Sequence, residues 1–410
     1  MTVLLQKTQF PAQSVSLTIT GSKSESNRLL ILKALFPDLK LTNLSNSDDT
    51  KVLQVALQQQ SGTIDIHHAG TAMRFLAAYF ASRDGVEVLL TGSERMQQRP
   101  IGILVDALRD LGADITYTLA EGFPPLRIKG SVLTSNSVKI HASVSSQYIT
   151  SLLLIAPSLP NGLTLQLEGT VTSIPYIEMT LQLLKKMGVS CSFSENTIRV
   201  EAAAKITPVT FAVESDWSSA SYFYSLVALS EGLSVTLKHF KENSLQGDRA
   251  LVSLFETLGV ITVFNASEAS ITLRKQKVTF PDSLLLHLSD TPDIAQTIAV
   301  TCFGLGVGCH LTGLHTLKIK ETDRLSALKT ELEKLGASVV ITQDSLTLTS
   351  SEKIQEQVTI ETYNDHRMAM AFAPLGLRTT IRIQDPKVVS KSFPGFWGDL
   401  EKCGISTDFQ

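Results

Sequence analysis

The chain repeats one pattern of apolar and polar positions six times. In each copy, apolar residues recur every three or four positions, a glycine ends the run, and a short alternating stretch follows. These parts are typical of an amphipathic helix, a left-handed helix end and a strand. The four clear copies are VDALRDLGADITY (105–117), TLQLLKKMGVSCSF (180–193), LVSLFETLGVITVF (251–264) and LKTELEKLGASVVI (328–341). LQVALQQQSGTIDI (53–66) is a degenerate copy and LEKCGISTDF (400–409) is a truncated one. The pattern predicts six copies of one α/β module.

A second class of helix is predicted between these copies. Each begins after a polar turn and is then apolar nearly all round, which predicts a buried helix. These helices are predicted at residues 21–35, 68–81, 145–156, 215–229, 291–302 and 364–377. Alternation predicts strands at 235–240, 271–275 and 346–350. We predict a domain boundary near residue 215, which leaves three modules on each side.

The composition argues against nucleic-acid binding, membrane insertion and a zinc or disulfide framework. The 410 residues are 43% hydrophobic and 18% charged with a net charge of -3, so the surface does not favour nucleic acid or an anionic membrane. The longest apolar run, 298–309, is too short to span a bilayer, and no signal peptide is recognised. The four cysteines form no C-x-x-C pair, which argues against a zinc site or disulfide framework. We therefore expect a cytoplasmic protein.

Basic residues recur at predicted helix starts, where the helix end is already electropositive. Because backbone N–H groups and guanidinium groups both bind carboxylates and phosphates, this recurrence predicts a site for small, multiply charged anions. In IKETDRL (319–325) we predict Thr322 as the N-cap and Asp323 as the first helical residue, and we predict Pro100 as the first residue of another helix. The residues are Lys23, Arg28, Arg74, Arg99, Arg249, Arg324 and Arg367.

Two of these residues have simpler alternatives. Arg324 alone could pair with Asp323 or point into water, and Arg249 is predicted to be a solvated surface residue outside the site. Neither a P-loop nor a convincing G-x-G-x-x-G sequence is present, which argues against an ATP or dinucleotide site.

Four residues are candidates for proton transfer: Asp293, Lys320, Glu321 and His366. The alternative for Asp293 is a carboxylate that only stabilises a helix start, and the alternative for His366 is a structural hydrogen bond.

Nine motifs in one order over residues 21–394 resemble the 5-enolpyruvylshikimate-3-phosphate synthase family, the 3-phosphoshikimate 1-carboxyvinyltransferases. They are GSKSESNR, AGTAMRFL, RPIGILVDAL, SSQY, SIPY, PDIAQTIA, KETDRL, YNDHRMAM and DPKVVSKSFP. The resemblance implies an α/β enolpyruvyl transferase fold of six βαβαββ-type repeats, three per domain (an inside-out α/β barrel), around an interdomain cleft. It implies one domain of residues 21–215 and another of residues 1–20 with 216–410.

The resemblance also implies a reaction and its site. The enolpyruvyl group of phosphoenolpyruvate would pass to the 5-hydroxyl of shikimate 3-phosphate through a tetrahedral adduct, and phosphate would leave. Shikimate 3-phosphate would contact Lys23, Ser24, Arg28, Ser145, Ser146, Gln147, Ser173, Tyr176, Asp293, Thr316 and Lys320. Phosphoenolpyruvate would contact Lys23, Gly70, Arg74, Arg99, Gln147, Arg324, Arg367 and Lys391.

Asp293 would accept the hydroxyl proton. Either Glu321 or Lys320 would exchange the proton at the methylene carbon, with His366 in the catalytic set. No metal or cofactor is implied, family members are commonly monomers, and glyphosate is a family inhibitor.

This chain departs from the common family pattern at His68, Thr316, Ile174 and Phe75, where Asn, Asn, Lys and Pro are frequent. One alternative is the sister transferase acting on UDP-N-acetylglucosamine, but that family usually has a reactive cysteine in its first half, and no cysteine here precedes Cys191. A catalytically silent anion-binding scaffold is the other alternative. Retention of the four candidate proton-transfer residues argues against it.

Overall fold

The computed structural model describes residues 1–8, 13–142, 145–169, 171–351 and 353–410. These residues form two compact units. We call residues 21–213 the insert unit, and Met1–Thr20 with Glu214–Gln410 the terminal unit. No helix among the described residues is both long enough and apolar enough to cross a membrane.

The helices fall into two alternating classes along the chain, as the apolar pattern predicts. Their bounds in the described residues are α1 (Lys23–Leu35), α2 (Asp48–Ala56), α3 (Gly70–Ala81), α4 (Glu94–Gln97), α5 (Gly102–Asp110), α6 (Ser146–Ile155), α7 (Ile174–Lys186), α8 (Trp217–Leu229), α9 (Leu251–Glu256), α10 (Ala295–Leu305), α11 (Arg324–Lys334), α12 (His366–Phe372) and α13 (Phe396–Lys402).

The strands are short, and most belong to four-stranded sheets. In the described residues they are β1 (Thr2–Leu5), β2 (Gln13–Leu17), β3 (Lys40–Thr42), β4 (Ser61–Asp65), β5 (Glu87–Thr91), β6 (Asp114–Tyr117), β7 (Leu126–Lys129), β8 (Ser137–His141), β9 (Leu163–Glu168), β10 (Cys191–Ser194), β11 (Thr197–Val200), β12 (Thr210–Ala212), β13 (Leu233–Lys238), β14 (Val260–Asn265), β15 (Ser270–Lys275), β16 (Ser283–His287), β17 (Gly308–Thr312), β18 (Ser338–Ile341), β19 (Leu346–Thr349), β20 (Val358–Ile360), β21 (Ile381–Gln384) and β22 (Thr407–Phe409).

Each complete module has the order βαβαββ. Its first helix connects two parallel strands, and its second helix leads into a hairpin that pairs antiparallel with the second strand. In the insert unit this arrangement gives the sheets β4-β5-β7-β6 and β8-β9-β11-β10. In the terminal unit it gives β2-β13-β15-β14 and β16-β17-β19-β18. The predicted recurrence of one α/β module is therefore present.

Three modules combine distant parts of the chain. In one of them, β2 precedes the insert unit and its partner β13 follows that unit. The N-terminal strand β1 pairs with β21 and β22 and supplies the fourth strand of the last module. In the insert unit, β12 pairs parallel with β3, and the described residues add no further strand to that sheet. This sixth module is thus shorter than the other five.

The first helix of each module is buried and the second is amphipathic. In the terminal unit α8, α10 and α12 pack against one another, and in the insert unit α1, α3 and α6 do so. The apolar stretches that predicted buried helices all fall on these six helices. Helices with apolar residues on every side need neighbours on every side, which the surrounding sheets and helices provide.

Three local predictions differ from the structure. Asp323, rather than Thr322, is the N-cap of α11 and accepts from the backbone N–H groups of Leu325 and Ser326. The helix after Arg99 begins at Gly102, so Pro100 lies outside it. Gly62 lies within β4 and does not end α2, whereas Gly336 does follow α11 with a φ of 96°, as a left-handed helix end requires.

Candidate active site

Arg324 in the terminal unit is surrounded by carboxylates. It is only 2% exposed, and its guanidinium donates to Asp365 Oδ2 at 2.6 Å, Glu321 Oε2 at 2.8 Å and Asp293 Oδ1 at 2.9 Å. Burial lowers the pKa of Arg324, but these carboxylates outweigh it and raise the pKa above its ordinary value. Arg324 is therefore fully ionised and binds three carboxylates at once. The alternatives that it pairs with Asp323 or points into water are wrong.

Asp293 is held between three cations. Besides Arg324, Arg367 Nη2 lies 3.2 Å from Asp293 Oδ2 and Lys320 Nζ lies 3.7 Å from Oδ1. Burial raises the pKa of the Asp293 carboxyl, but the charges of Arg367, Lys320 and Arg324 outweigh it and hold the pKa well below its usual range. In this state Asp293 is an anion.

Other expected residues lie on the same unit. His366 is the first residue of α12, with Nδ1 3.6 Å from Asp365 Oδ1, and Lys391 Nζ donates to the Asn364 carbonyl at 2.5 Å. Thr316 is buried, and its hydroxyl has no hydrogen-bond partner among the described residues. Because buried hydroxyls normally form hydrogen bonds, the Thr316 hydroxyl favours a polar group of a ligand as its partner.

Asp365, which was not among the residues predicted from the sequence, contacts two of the arginines. Its side chain is fully buried, accepts from Arg324 and also accepts from the backbone N–H of Arg367 as the N-cap of α12. An aspartate directly before the apolar stretch of YNDHRMAM was a usable N-cap signal. Its ion pair with Arg324 was not readable, because 41 positions separate the two residues.

Asp248 is a second buried carboxyl that was not predicted from the sequence as a site residue. It accepts a short hydrogen bond from the Ser218 hydroxyl, which also lies 3.4 Å from Arg367 Nη2. Its Oδ1 is buried without a hydrogen-bond partner in the described part of the chain. Burial, followed by the nearby charge of Asp293, raises the pKa of Asp248 from 3.8 to about 7.

Replacement of Asp248 by Asn is expected to stabilise the protein above pH 7. A carboxyl whose pKa is raised by folding binds protons more tightly in the folded state, so its contribution to stability falls as the pH rises from 3.8 towards 7. The neutral amide removes that loss and still accepts from Ser218. Urea denaturation should give little difference at pH 4 and a gain on the order of 2–4 kcal/mol at pH 8.

The matched control is Asp282→Asn, which changes an exposed aspartate of the same unit. Its difference from the wild type should stay small at every pH. A gain for Asp248→Asn that does not grow with pH would contradict the assigned cause.

In the insert unit, Arg28 is buried among neutral oxygens. It donates to the hydroxyls of Thr180 and Thr150 and to the carbonyls of Ser24 and Tyr176, at 2.8–3.4 Å. Burial lowers its pKa to about 10, so it remains charged at neutral pH. No carboxylate hydrogen-bonds to it among the described residues, so its charge remains available to an anion.

Two aromatic rings lie against Arg28. The guanidinium carbon is 5.7 Å from the ring centroids of both Phe75 and Tyr176. Such contacts restrict the arginine without neutralising it. They also give a role to Phe75, one of the departures from the common family pattern. Ile174, another departure, is exposed at the start of α7.

Further polar residues of the insert unit lie at helix starts. Lys23, the first residue of α1, pairs with Asp49 Oδ2 at 3.2 Å. Ser145 caps α6 by accepting from the backbone N–H of Gln147, and Gln147 Nε2 donates to Thr71 Oγ1 at 3.4 Å. Ser146 begins α6, Ser173 is the N-cap residue of α7, and Ser24 lies in the first turn of α1.

Arg99 differs from the other buried arginines. It is 7% exposed, its Nε has no hydrogen-bond partner, and no ion pair involves it within the described residues. Its guanidinium lies against Gly70, because a Cβ built on that glycine would be 2.4 Å from Arg99 Nη1. A buried guanidinium without a counter-anion is costly, so this position favours an anionic ligand.

With phosphoenolpyruvate as the substrate that the resemblance implies, replacement of Gly70 by Ala is expected to weaken its use. The added methyl group must displace the Arg99 guanidinium, which is a flexible end, so we expect little change in melting temperature and a several-fold higher KM for phosphoenolpyruvate. Inhibition by glyphosate should weaken in the same variant. Steady-state kinetics at saturating shikimate 3-phosphate measures both effects.

Gly398→Ala is the matched control, because a Cβ there meets no atom within 4 Å. It should leave the KM and the inhibition unchanged. Equal inhibition of Gly70→Ala and the wild type would refute the expected crowding.

The Arg74 guanidinium forms its hydrogen bonds with other groups of the protein. Its Nη1 donates to the Gly70 carbonyl at 3.1 Å and contacts Met96 Sδ at 3.3 Å, and its Nη2 donates to the Pro100 carbonyl at 3.0 Å. These contacts orient the segment around Gly70 and Pro100.

Two other residues were singled out from the sequence. His68 Nδ1 lies 2.7 Å from the Ser93 hydroxyl. Arg249 donates to the Glu242 carbonyl at 2.5 Å and stacks on Phe264, so it is half-buried and not fully solvated as predicted.

Comparison with known proteins gives one family. The sequence model of EPSP synthase (3-phosphoshikimate 1-carboxyvinyltransferase) matches residues 54–400. The 3-phosphoshikimate 1-carboxyvinyltransferase of Bacteroides fragilis strain YCH46 is 48% identical over 400 residues, which covers 96% of this chain and 97% of that protein. The enzyme of the same name from Photobacterium damsela subsp. piscicida is 38% identical and covers 94% and 95%.

A solved structure also matches the fold. EPSP synthase from Acinetobacter baumannii superposes with a TM-score of 0.77 at 21% identity and covers 99% of both chains. This likeness confirms the predicted α/β enolpyruvyl transferase fold. From the sequence matches, which extend over nearly its whole length, the chain belongs to the EPSP synthase family, the 3-phosphoshikimate 1-carboxyvinyltransferases.

Proposed function

We propose that this chain transfers the enolpyruvyl group of phosphoenolpyruvate to the 5-hydroxyl of shikimate 3-phosphate and releases phosphate, as a step of aromatic amino acid biosynthesis. The observation that carries the proposal is the pair of buried arginines, Arg28 and Arg99, to which no carboxylate hydrogen-bonds among the described residues. Both substrates bear a carboxylate and a phosphate. Guanidinium groups to which no protein carboxylate hydrogen-bonds can bind such ligands through charge-assisted hydrogen bonds.

The phosphoenolpyruvate contacts are assigned on charge and placement. Arg99 above Gly70 supplies an uncompensated guanidinium, and Lys23 and Gln147 lie at the starts of α1 and α6. In the terminal unit, Arg367 and Lys391 supply further positive charge. Arg324 is already paired with three carboxylates. Its proposed role is therefore to hold those carboxylates in position and to add positive charge near phosphoenolpyruvate.

Shikimate 3-phosphate is assigned to Arg28 and the polar residues near it. Ser24, Ser145, Ser146 and Ser173 lie at helix starts, where backbone N–H groups favour a phosphate. Tyr176 belongs to this set, and Thr316 offers a buried hydroxyl without a hydrogen-bond partner among the described residues. Asp293 and Lys320 complete it on the terminal unit.

The proton transfers are assigned to Asp293, Lys320 and Glu321. In the addition step, the substrate hydroxyl loses a proton to Asp293 while the methylene carbon gains one from Lys320 or Glu321, giving a tetrahedral adduct. In the elimination step, the methyl carbon returns that proton to Lys320 or Glu321, the C=C bond re-forms and the C–O bond to phosphate breaks, and the departing phosphate takes the proton held by Asp293. Ligand anions that attract Arg367 and Lys320 weaken their hold on Asp293 and raise its pKa towards a value suited to a base.

His366 is assigned a supporting role in this group. Its ring nitrogen Nδ1 faces Asp365, the carboxylate that binds Arg324 and caps the helix carrying Arg367.

We further propose that the two compact units are the two domains of the transferase, and that the chain acts as a monomer in the cytoplasm. The units divide the chain after Thr20 and after Val213, which agrees with the crossover pattern of the family to within about two residues. A light-scattering mass near 44.6 kDa is the expected result for a monomer.

Phosphate release from phosphoenolpyruvate tests the reaction. Release that depends on shikimate 3-phosphate is expected. Release only with UDP-N-acetylglucosamine would replace the proposal with the sister activity, and release with neither acceptor would favour a silent scaffold.

A further inference from the structure

The carbonyl oxygen of Pro100 is held from two directions. The Tyr148 hydroxyl donates to it at 2.6 Å, and Arg74 Nη2 donates to it at 3.0 Å. Tyr148 lies in the first turn of α6, and its ring is buried. Because proline has no backbone N–H, this carbonyl is its only main-chain hydrogen-bonding group. Pro100 itself is therefore anchored through this carbonyl.

Arg99 needs such an anchor because its own side chain has none. Its Nε is buried without a hydrogen-bond partner, and no ion pair involves it among the described residues. A neighbouring carboxylate would fix the guanidinium but would also neutralise it. Orientation through the main chain avoids that conflict, since it restricts the side chain while its charge remains available to a ligand.

Arg74 links the Pro100 carbonyl to the backbone of Gly70, against which the Arg99 side chain lies. Its other terminal nitrogen, Nη1, donates to the Gly70 carbonyl at 3.1 Å, and Gly70 is the residue on which the Arg99 guanidinium lies. Arg99 is also held at its own backbone, because its N–H donates to the Met96 carbonyl at 3.1 Å. Tyr148 is the one member of this arrangement that comes from α6.

We propose that Tyr148 is a positioning residue for phosphoenolpyruvate binding, which orients Arg99 through its hydroxyl and the Pro100 carbonyl. The inference rests on the proposed role of Arg99 as a ligand of phosphoenolpyruvate. Tyr148 touches neither substrate in this scheme. Its effect passes through one hydrogen bond, so removing a single oxygen atom tests it.

The experiment compares Tyr148→Phe with the wild type in steady-state assays of phosphate release. The variant should lose about 3- to 10-fold in kcat/KM for phosphoenolpyruvate, the equivalent of one neutral hydrogen bond. The KM for shikimate 3-phosphate and the kcat at saturation should stay within about twofold. The matched control is Tyr79→Phe, whose ring is also buried but whose hydroxyl forms no hydrogen bond in the described part of the chain.

A double-mutant cycle separates positioning from general support of the fold. In an Arg99→Met background, Tyr148→Phe should no longer reduce kcat/KM for phosphoenolpyruvate, because no guanidinium remains to be oriented. Any loss of melting temperature should persist in that background.

Two results would overturn the proposal: an unchanged kcat/KM in Tyr148→Phe, or an equal loss with and without Arg99. If the wild type releases no phosphate with shikimate 3-phosphate, the proposed function itself fails. An active wild type with an unaffected variant removes only the role of Tyr148.

Discussion

Asp293→Asn is expected to lose about 100- to 10,000-fold in kcat, the range typical of removing a positioned general base. The wild-type carboxylate is an anion in contact with Arg324, Arg367 and Lys320, and it is the proposed acceptor of the hydroxyl proton. An amide has nearly the same shape and its oxygen still accepts from one of the two arginines, which bind different oxygens of the carboxylate, but it does not take up a proton. Phosphate release at saturating concentrations of both substrates measures the loss.

Asp290→Asn is the matched control for this variant. Asp290 lies three positions earlier on the same segment and is exposed, so its neutralisation should leave kcat unchanged. The KM values of Asp293→Asn should change by much less than its kcat. An Asp293→Asn enzyme with a tenth or more of the wild-type kcat would exclude this carboxylate as the proton acceptor.

The module architecture was predictable because its signals are local. Apolar spacing within eleven or so residues defines a helix face, and a glycine such as Gly336 ends the helix by adopting a positive φ. The contrast between apolar-all-round and amphipathic helices even distinguished the buried α10 from the outer α11. The reduced sixth module was not predicted, because β4, the strand that contains Gly62, belongs to the next sheet in the structure.

The state of each arginine was not predictable from its position in the sequence. Arg99 and Arg324 carry the same signal, a basic residue near a helix start, yet one has no ion pair among the described residues and the other has three. The difference comes from residues such as Asp365, which are distant in sequence and brought close by the packing of α10, α11 and α12. Local spacing contains no information on those pairings.

The carboxyl groups were harder to predict than the cations. Asp248 follows a glycine in an unremarkable polar segment, and its pKa is raised by burial and by the nearby charge of Asp293, neither of which the segment reveals. Asp49 became visible only through its pairing with Lys23. A sequence motif identifies which charges are present, whereas their protonation and availability depend on burial and on neighbours in the fold.

Arg324→Met is expected to destabilise the protein by about 3–5 kcal/mol, the cost typical of removing one partner from a buried ion pair. Methionine fills much of the arginine volume but leaves Asp365 fully buried without its cation, and it removes a counter-charge from Asp293 and Glu321. Urea denaturation monitored by circular dichroism measures the change in the free energy of unfolding. Arg378→Met, at an exposed arginine of the same unit, should change it by less than about 1 kcal/mol.

The cause of that loss is testable with a second substitution. If the uncompensated charge of Asp365 accounts for much of the cost, Arg324→Met combined with Asp365→Asn should be more stable than the sum of the two single changes predicts. Asp365→Asn alone should also be destabilising, because it weakens the cap of α12 and the contact to Arg324. Strict additivity of the two changes would show that lost packing, and not buried charge, makes Arg324→Met unstable. A coupling of 1 kcal/mol or more in the stabilising direction, about the size measured for contacting groups, would assign the cost to the buried carboxylate.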